Sequence, residues 1–456
     1  MERRRVLKSL GAISIGAAAG SLTNSAELEV VYNVDKPKLQ TDVLVVGGGT
    51  AGVIAAIQAG RMGTNTILVE NGSQLGGTTT TGGVSFPGIF HAWGKQIIGG
   101  IGWELVMECV TLNDGKLPNF SIIPNNTSVR HWRHQVAVNG PLYALLAEEK
   151  CMEAGVDIRY YETPMEVSYN NGQWTVQTIG KGVQAEIKCK QIIDCTGNAF
   201  VTSLAGFSVL READTQPGSL IFRIGGYDFE DLDLAEIPKR FHGVLRQNMI
   251  NNLKLKTPQG PFPPSVPYGY VYVPGADSTT SMTHTKANLE GRENLLELLR
   301  TLRTFPGCEK IRILDIQTET AVRETFRIEG EYQVTHEDYV QGKVFQDAVS
   351  HSFYPIDLHR NGKSIYQEFL KPGVVASIPL RALIPKNSKN LLVAGRCISS
   401  DRLANSALRV QASCMGMGQA AGAAAVLAHQ RNVTPIDVPV AEVQALIEEY
   451  GGIVPR

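Results

Sequence analysis

The sequence has no C-x-x-C pair, no apolar run approaching the roughly 20 residues that cross a bilayer, and no excess of charge of either sign. Each absence excludes something. The seven cysteines, Cys109, Cys151, Cys189, Cys195, Cys308, Cys397 and Cys414, are scattered and odd in number. That argues against a disulfide framework or a zinc site and leaves them as small core residues. Lys and Arg total 43 against 44 Asp and Glu, a net charge of −1 at pH 7, which removes the bulk electrostatic case for nucleic acid or an anionic membrane surface. Small-molecule chemistry remains as the default. With 456 residues, 43% apolar and 19% charged, the chain is long enough for about two or three globular domains.

Glycine is what the chain does have, 46 residues without a repeating period, as suits close approaches of backbone to a ligand. The most informative stretch is Asp42 to Glu70, DVLVVGGGTAGVIAAIQAGRMGTNTILVE. Val43 to Val46 reads as a strand buried on both faces, and Gly47, Gly49 and Gly52 follow at G-x-G-x-x-G spacing. The first glycine permits a tight turn, the second lets the backbone approach a pyrophosphate, and the third lets the next helix pack closely on the strand. The helix amino end presents free N–H groups and about half a positive charge to such an anion. Glu70 ends a second strand 18 residues past Gly52, where a carboxylate accepts from a ribose 2′-hydroxyl and repels a 2′-phosphate.

Residues 1–26 are set aside from the fold. Arg3-Arg4-Arg5-Val6-Leu7-Lys8 and then Ser9 to Gly20 form a basic segment followed by a short apolar one, which reads as a twin-arginine export signal and a periplasmic or otherwise exported location. No stable membrane span is expected. After Glu70, the glycines and threonines of Asn71 to Gly83 suggest a ligand-facing loop with Gly76, Gly77 and Thr78 as contacts. A helix is expected near Trp103 to Val110 and another over Pro141 to Gly155. Short strands follow at Asp157 to Tyr161, Glu166 to Tyr169, Trp174 to Ile179 and Val183 to Cys189, with Asn171-Gly172 as a hairpin signal, and Lys190 to Thr196 reads as a further strand ending at Gly197. From about residue 200 to 385 the composition shifts to mixed strand and loop, with a proline-rich segment at 261–269 and an amphipathic helix from Arg292 to Arg303. The strand Asn390 to Gly395 and the small-residue helix Met415 to His429 return to the first domain.

These segments together resemble the FAD-dependent oxidoreductase family of the glutathione-reductase-like Rossmann superfamily. The matching motifs are Gly47 to Gly52, Leu75 to Gly77, Arg323 to Gly330, Tyr354 to His359, Leu391 to Ser399, Ser406 to Val410 and Gly418 to Gly422, in order. The resemblance implies an α/β fold: an FAD-binding Rossmann-like domain over 40–200 and 386–435, with a parallel sheet and a small antiparallel one, plus a mixed α+β substrate or cap domain over 201–385. It implies noncovalent FAD with its ADP half on Gly47, Gly49, Gly52 and Glu70, the adenine near Met165, and the isoalloxazine between the Gly76 loop and the Gly418 helix. Thr196, Gly197, Gly395, Arg396 and Arg409 complete the expected cofactor contacts. Gly395-Arg396 replaces the Gly-Asp of the disulfide reductases, which disfavours thiol chemistry, and no second G-x-G-x-x-G offers a dock for a nicotinamide.

The expected chemistry is hydride transfer from a small organic substrate to flavin N5, with a quinone, a redox protein or oxygen as final acceptor. A histidine is the natural base near neutral pH, and His351, His359 and His91 are the candidates. Arg323 and Arg327 could clamp an anionic or polyhydroxylated substrate, or pair with Glu324 and Glu329. The reverse reaction, fumarate-reductase-like reduction of an activated double bond using Arg402 or Arg409, stays open, as does an electron-transfer subunit without its own substrate.

Overall fold

Strand β1 (Lys38–Val46) runs parallel to two neighbours, β2 (Thr66–Glu70) on one side and the long strand Val183–Asp194 on the other. Asp157–Tyr160 extends the parallel sheet beyond β2, and Leu391–Val393 pairs with the last residues of the long strand. The computed structural model describes residues 33–123, 134–227, 269–362 and 365–456. The expected export segment and nearly all of the proline-rich segment lie outside them. Residues Asp35–Arg456 form one compact unit.

Helix α1 (Thr50–Arg61) crosses over from β1 to β2, and ten of its residues from Thr50 to Ala59 are buried. Continuous burial explains why β1 shows no apolar–polar alternation over Val43 to Val46. The carboxyl ends of β1, β2, Val183–Asp194 and Leu391–Val393 come together on one edge of the sheet, where ligands of open α/β sheets sit.

Val183–Asp194 is one strand of 12 residues, not two. No turn residue separates Cys189 from Lys190. From Glu186 onward the strand stays on β1, while its other edge changes partner, from the antiparallel meander Thr163–Asn170 and Gln173–Gly180 to the parallel Leu391–Val393.

A second apolar core lies under a three-stranded antiparallel sheet, Gly218–Gly225 flanked by Gly269–Val273 and Arg312–Ile316. The helix that covers it spans Ser281–Leu302, starting eleven residues before the amphipathic pattern suggests. Thr280 and Thr283 form a reciprocal capping box at its start. Gly291 interrupts the pattern but is a packing residue, since a Cβ there would stand 2.8 Å from Thr320 Oγ1.

Helix Gln411–Arg431 packs along α1 through small residues. A Cβ on Gly418 would overlap the Ala51 carbonyl oxygen, and one on Gly422 would stand 2.7 Å from the Ala55 carbonyl. That close approach aims the helix amino end at the same sheet edge. Among the described residues, no helix is long and apolar enough to cross a membrane.

Candidate active site

A cavity of about 1260 Å³ opens at this edge and runs from the first glycine turn to the second sheet. At its outer end, Gly47 has φ +100°, and a Cβ on Gly52 would overlap the Gly47 carbonyl oxygen, so helix α1 begins as close to β1 as backbone allows. Nothing stands within 4 Å of where a Gly49 Cβ would be, and no side chain caps the helix. The free N–H groups of this first turn therefore face open space. Glu70 accepts from Gly48 N at 2.7 Å and Gly72 N at 2.6 Å, while burial pushes its carboxyl up. Each oxygen keeps a further lone pair, and Glu70 lines the cavity.

In the threonine loop, Gly76 has φ +101° and Gly77 φ +51°, and Gly76 N donates to Gly48 O at 2.8 Å. The four threonines divide. Thr78 and Thr81 line the cavity, whereas Thr79 is hydrogen-bonded to Gln411 and Thr80 to Leu75 O at 2.7 Å. Asp194, fully buried at the end of its strand, accepts from Thr196 and Thr202 and fixes the turn that presents Thr196 and Gly197. Gly395 (φ +104°) and Arg396 close that side. The guanidinium donates to Gly197 O at 2.7 Å, Asn198 Oδ1 at 2.7 Å and Val322 O at 2.5 Å, tying the two sheets together.

The inner end is polar. His359 Nε2 lies 3.1 Å from Asp357 Oδ2, and the Tyr272 hydroxyl lies 3.0 Å from Nδ1. Gln367 donates to the other Asp357 oxygen at 2.9 Å. Burial raises the Asp357 carboxyl, but His359, Arg409 and Gln367 outweigh it and hold it at about 2. Burial and the Arg323 charge, opposed by Asp357 and seconded by Arg409, bring His359 down to about 4. At neutral pH the pair is a carboxylate and a neutral imidazole. The carboxylate requires a donor, which assigns the ring proton to Nε2 and leaves Nδ1 as the acceptor.

The profile of the family described as FAD dependent oxidoreductase matches residues 42–447. The chain belongs to that family. The glutathione-reductase-like label is the less precise one. Among curated proteins, the chain is 47% identical over 55 residues to a dihydrolipoyl dehydrogenase of Pseudomonas aeruginosa, covering 12% of each chain. It is 40% identical over 84 residues to a pseudooxynicotine dehydrogenase of Pseudomonas sp., covering 16% of this chain and 17% of that one. The matched segments thus span less than a fifth of either relative. Similar solved structures include a p-nitrophenol 4-monooxygenase from Pseudomonas putida, with TM-score 0.46, 12% identity, and coverage of 90% of this chain and 86% of that one. An anhydrotetracycline hydroxylase from Streptomyces rimosus also has TM-score 0.46, with 13% identity and coverage of 90% and 66%.

The cavity of this FAD-dependent oxidoreductase fits its cofactor. The uncapped α1 amino end and open Gly49 suit a diphosphate, and Glu70 suits a ribose. At the other end, helix Gln411–Arg431 also starts without a side-chain cap, and Arg409, Val410, Gln411 and Cys414 line the cavity. Those residues occupy the place expected of Gly418, which instead serves helix packing two turns further on. Met165, expected near the adenine, is 50% exposed and outside the wall, while Thr163 and Pro164 line it; the strand pairing is irregular between Pro164 and Glu166, which turns Met165 outward.

Of the three candidate histidines, only His359 lines the cavity; His284, which was not a candidate, lines it as well. His351 is on strand Ala348–Ser352, whose Ser352 reaches Ser413 at 2.8 Å on the closing helix, so strand alternation turns His351 to the opposite face. His91 stacks on Phe120 with ring centroids 3.7 Å apart. Of the arginines, Arg323, Arg396 and Arg409 line the cavity. Arg327 and Arg402 do not. Both bracket Glu324, a carboxylate with only 1% side-chain exposure, Arg402 Nε at 3.1 Å and Arg327 Nη1 at 3.5 Å. A buried carboxylate left unpaired is costly, so these two cations serve the fold. Tyr272 and Gln216, which contribute to the inner end, carry no motif in the sequence and are brought there only by the second sheet.

Proposed function

We propose that this enzyme oxidises a small organic substrate by hydride transfer, with His359 as the base that takes the accompanying proton. The observation that carries the reading is the placement of His359 on the cavity wall with Asp357 behind it. FAD, when bound, supplies the two-electron acceptor. Asp357 orients the ring and stabilises the positive charge it acquires, while Nδ1 receives the proton. The Tyr272 hydroxyl donates to that nitrogen, so the substrate proton reaches Nδ1 by displacing that contact or by passing through Tyr272. A quinone, a redox protein or oxygen then takes the electrons. Double-bond reduction built on Arg402 has no support from its pairing with Glu324. The Arg3-Arg4-Arg5 segment supports an exported location, and replacing all three by Lys should keep the protein in the cytoplasm.

The test is anaerobic mixing of the FAD-loaded protein with sugars, polyols, amines and hydroxy acids, following loss of the flavin absorbance. His359→Asn should retain FAD and slow reduction by the donor that works at least roughly 100-fold. Wild-type rates in that variant, with loss of rate in His351→Asn, would assign the base elsewhere.

A further inference from the structure

The charge at the inner end of the cavity does not balance. Arg323 and Arg409 both line it, and neither has a carboxylate oxygen within ion-pair distance among the described residues. Arg323 Nη1 donates to Pro217 O at 2.6 Å, and its guanidinium carbon stands 5.5 Å from the Tyr272 ring centroid. Arg409 Nη2 makes only long contacts to neutral oxygens, 3.3 Å to Asp357 O and 3.4 Å to Gln216 Oε1, and its Nε is buried with no acceptor. Two guanidiniums that repel each other thus share the inner end, and Arg409 is desolvated there with a donor unused. Asp357, whose charge acts on Arg409, is already engaged by His359 and Gln367. Such an arrangement is costly unless an anion completes it.

We infer that Arg323 and Arg409 form an anion subsite for a carboxylate of the substrate, and that the substrate is a 2-hydroxy acid. The adjacency of the groups sets the carbon position. Arg323 faces the ring of Tyr272, whose hydroxyl contacts His359 Nδ1, and Arg409 Nη2 lies 3.3 Å from the backbone oxygen of Asp357, whose carboxylate holds His359 Nε2. A carboxylate on the two arginines therefore sits in the neighbourhood of the His359 ring, and the hydroxyl on its adjoining carbon is the one brought toward that base. A guanidinium suits this work because its fixed fork matches a carboxylate.

The step balances. The hydroxyl O–H bond breaks and its proton goes to His359; the C–H bond on the same carbon breaks and its hydrogen leaves with both electrons to FAD. The C=O bond forms, the carboxylate is unchanged, and the product is a 2-oxo acid. This inference rests on the reading of His359 as base, yet the subsite can be tested without turnover.

The FAD-loaded protein is titrated with oxalate, malonate and benzoate, and with oxamide, benzamide and inorganic phosphate, by calorimetry and flavin difference spectra. At least one carboxylate should bind while its amide does not, and Arg323→Gln and Arg409→Gln should each weaken that binding roughly 10- to 100-fold. FAD content and melting temperature verify that the variants are folded. Absence of carboxylate binding, equal binding by the variants, or binding of phosphate alone overturns the subsite. If Arg409→Gln changes only the reduction potential of the flavin, the arginine serves the cofactor and the inference fails. His359→Asn should still bind the carboxylate while losing flavin reduction. Reduction by polyols but not by 2-hydroxy acids would leave the proposed base intact and remove the substrate class; carboxylate binding with normal reduction in His359→Asn would do the reverse.

Discussion

Gly52 lies against Gly47 so closely that a Cβ on the former would overlap the carbonyl oxygen of the latter. One contact thereby fixes where helix α1 starts and hence where its free N–H groups point.

Two neighbouring substitutions should separate packing from ligand binding. Gly52→Ala must push the helix off the strand, at a cost of about 1–3 kcal/mol, and should lower both melting temperature and FAD content. Gly49→Ala puts its methyl into open cavity and should leave the FAD-free protein within about 0.5 kcal/mol of wild type while reducing FAD retention. Thermal melting with and without FAD, together with the flavin-to-protein absorbance ratio, checks both.

Glu70 accepts two backbone amides through separate oxygens, whereas an amide has only one acceptor oxygen. Glu70→Gln should therefore strand one of the two N–H groups, destabilise the first turn by about 1–3 kcal/mol and speed FAD release. Unchanged FAD dissociation in this variant would show that the carboxylate has no part in holding the cofactor.

The pH dependence follows from His359, held at about 4 against an ordinary 6.5. The folded protein prefers the neutral ring, so this contribution to stability is fully present above pH 6.5 and is lost as pH falls toward 4. Base catalysis should likewise persist below pH 6.5 and fail only as pH approaches 4. Arg323→Met removes a cation that depresses the ring, and should move the acidic limb of the flavin-reduction rate toward higher pH.

Arg402 illustrates the opposite behaviour. Arg402→Met leaves Glu324 with less compensation and should cost about 1.5–3 kcal/mol in denaturant unfolding. Because the side chain is absent from the cavity wall, the rate of flavin reduction in the folded variant should stay near wild type.

The dinucleotide-binding unit was legible because its information is local. The apolar run, the glycine spacing and the terminal Glu70 lie within one βαβ unit, and each residue type is required by backbone geometry at its own position. The same holds for the capped helix Gly140–Glu153, where Asn139 accepts from Leu142 N at 3.1 Å. Gly418 was harder to place, since a glycine that admits a ligand and one that admits a neighbouring helix look alike in sequence.

The sequence by itself determined the cofactor-binding fold and a short set of chemically able side chains. Tertiary structure decided which of them line the cavity. Arg323, Arg327 and Arg402 are the same residue type in comparable motifs, but a buried carboxylate at Glu324 draws two of them into the fold and leaves the third for the cavity. His351 and His359 stand eight residues apart, and strand alternation against the closing helix turns the first away while Asp357 and Tyr272 hold the second in place. Selection of that kind depends on which groups share a desolvated space, and contacts between residues more than 80 positions apart, such as Tyr272 with His359, set that space.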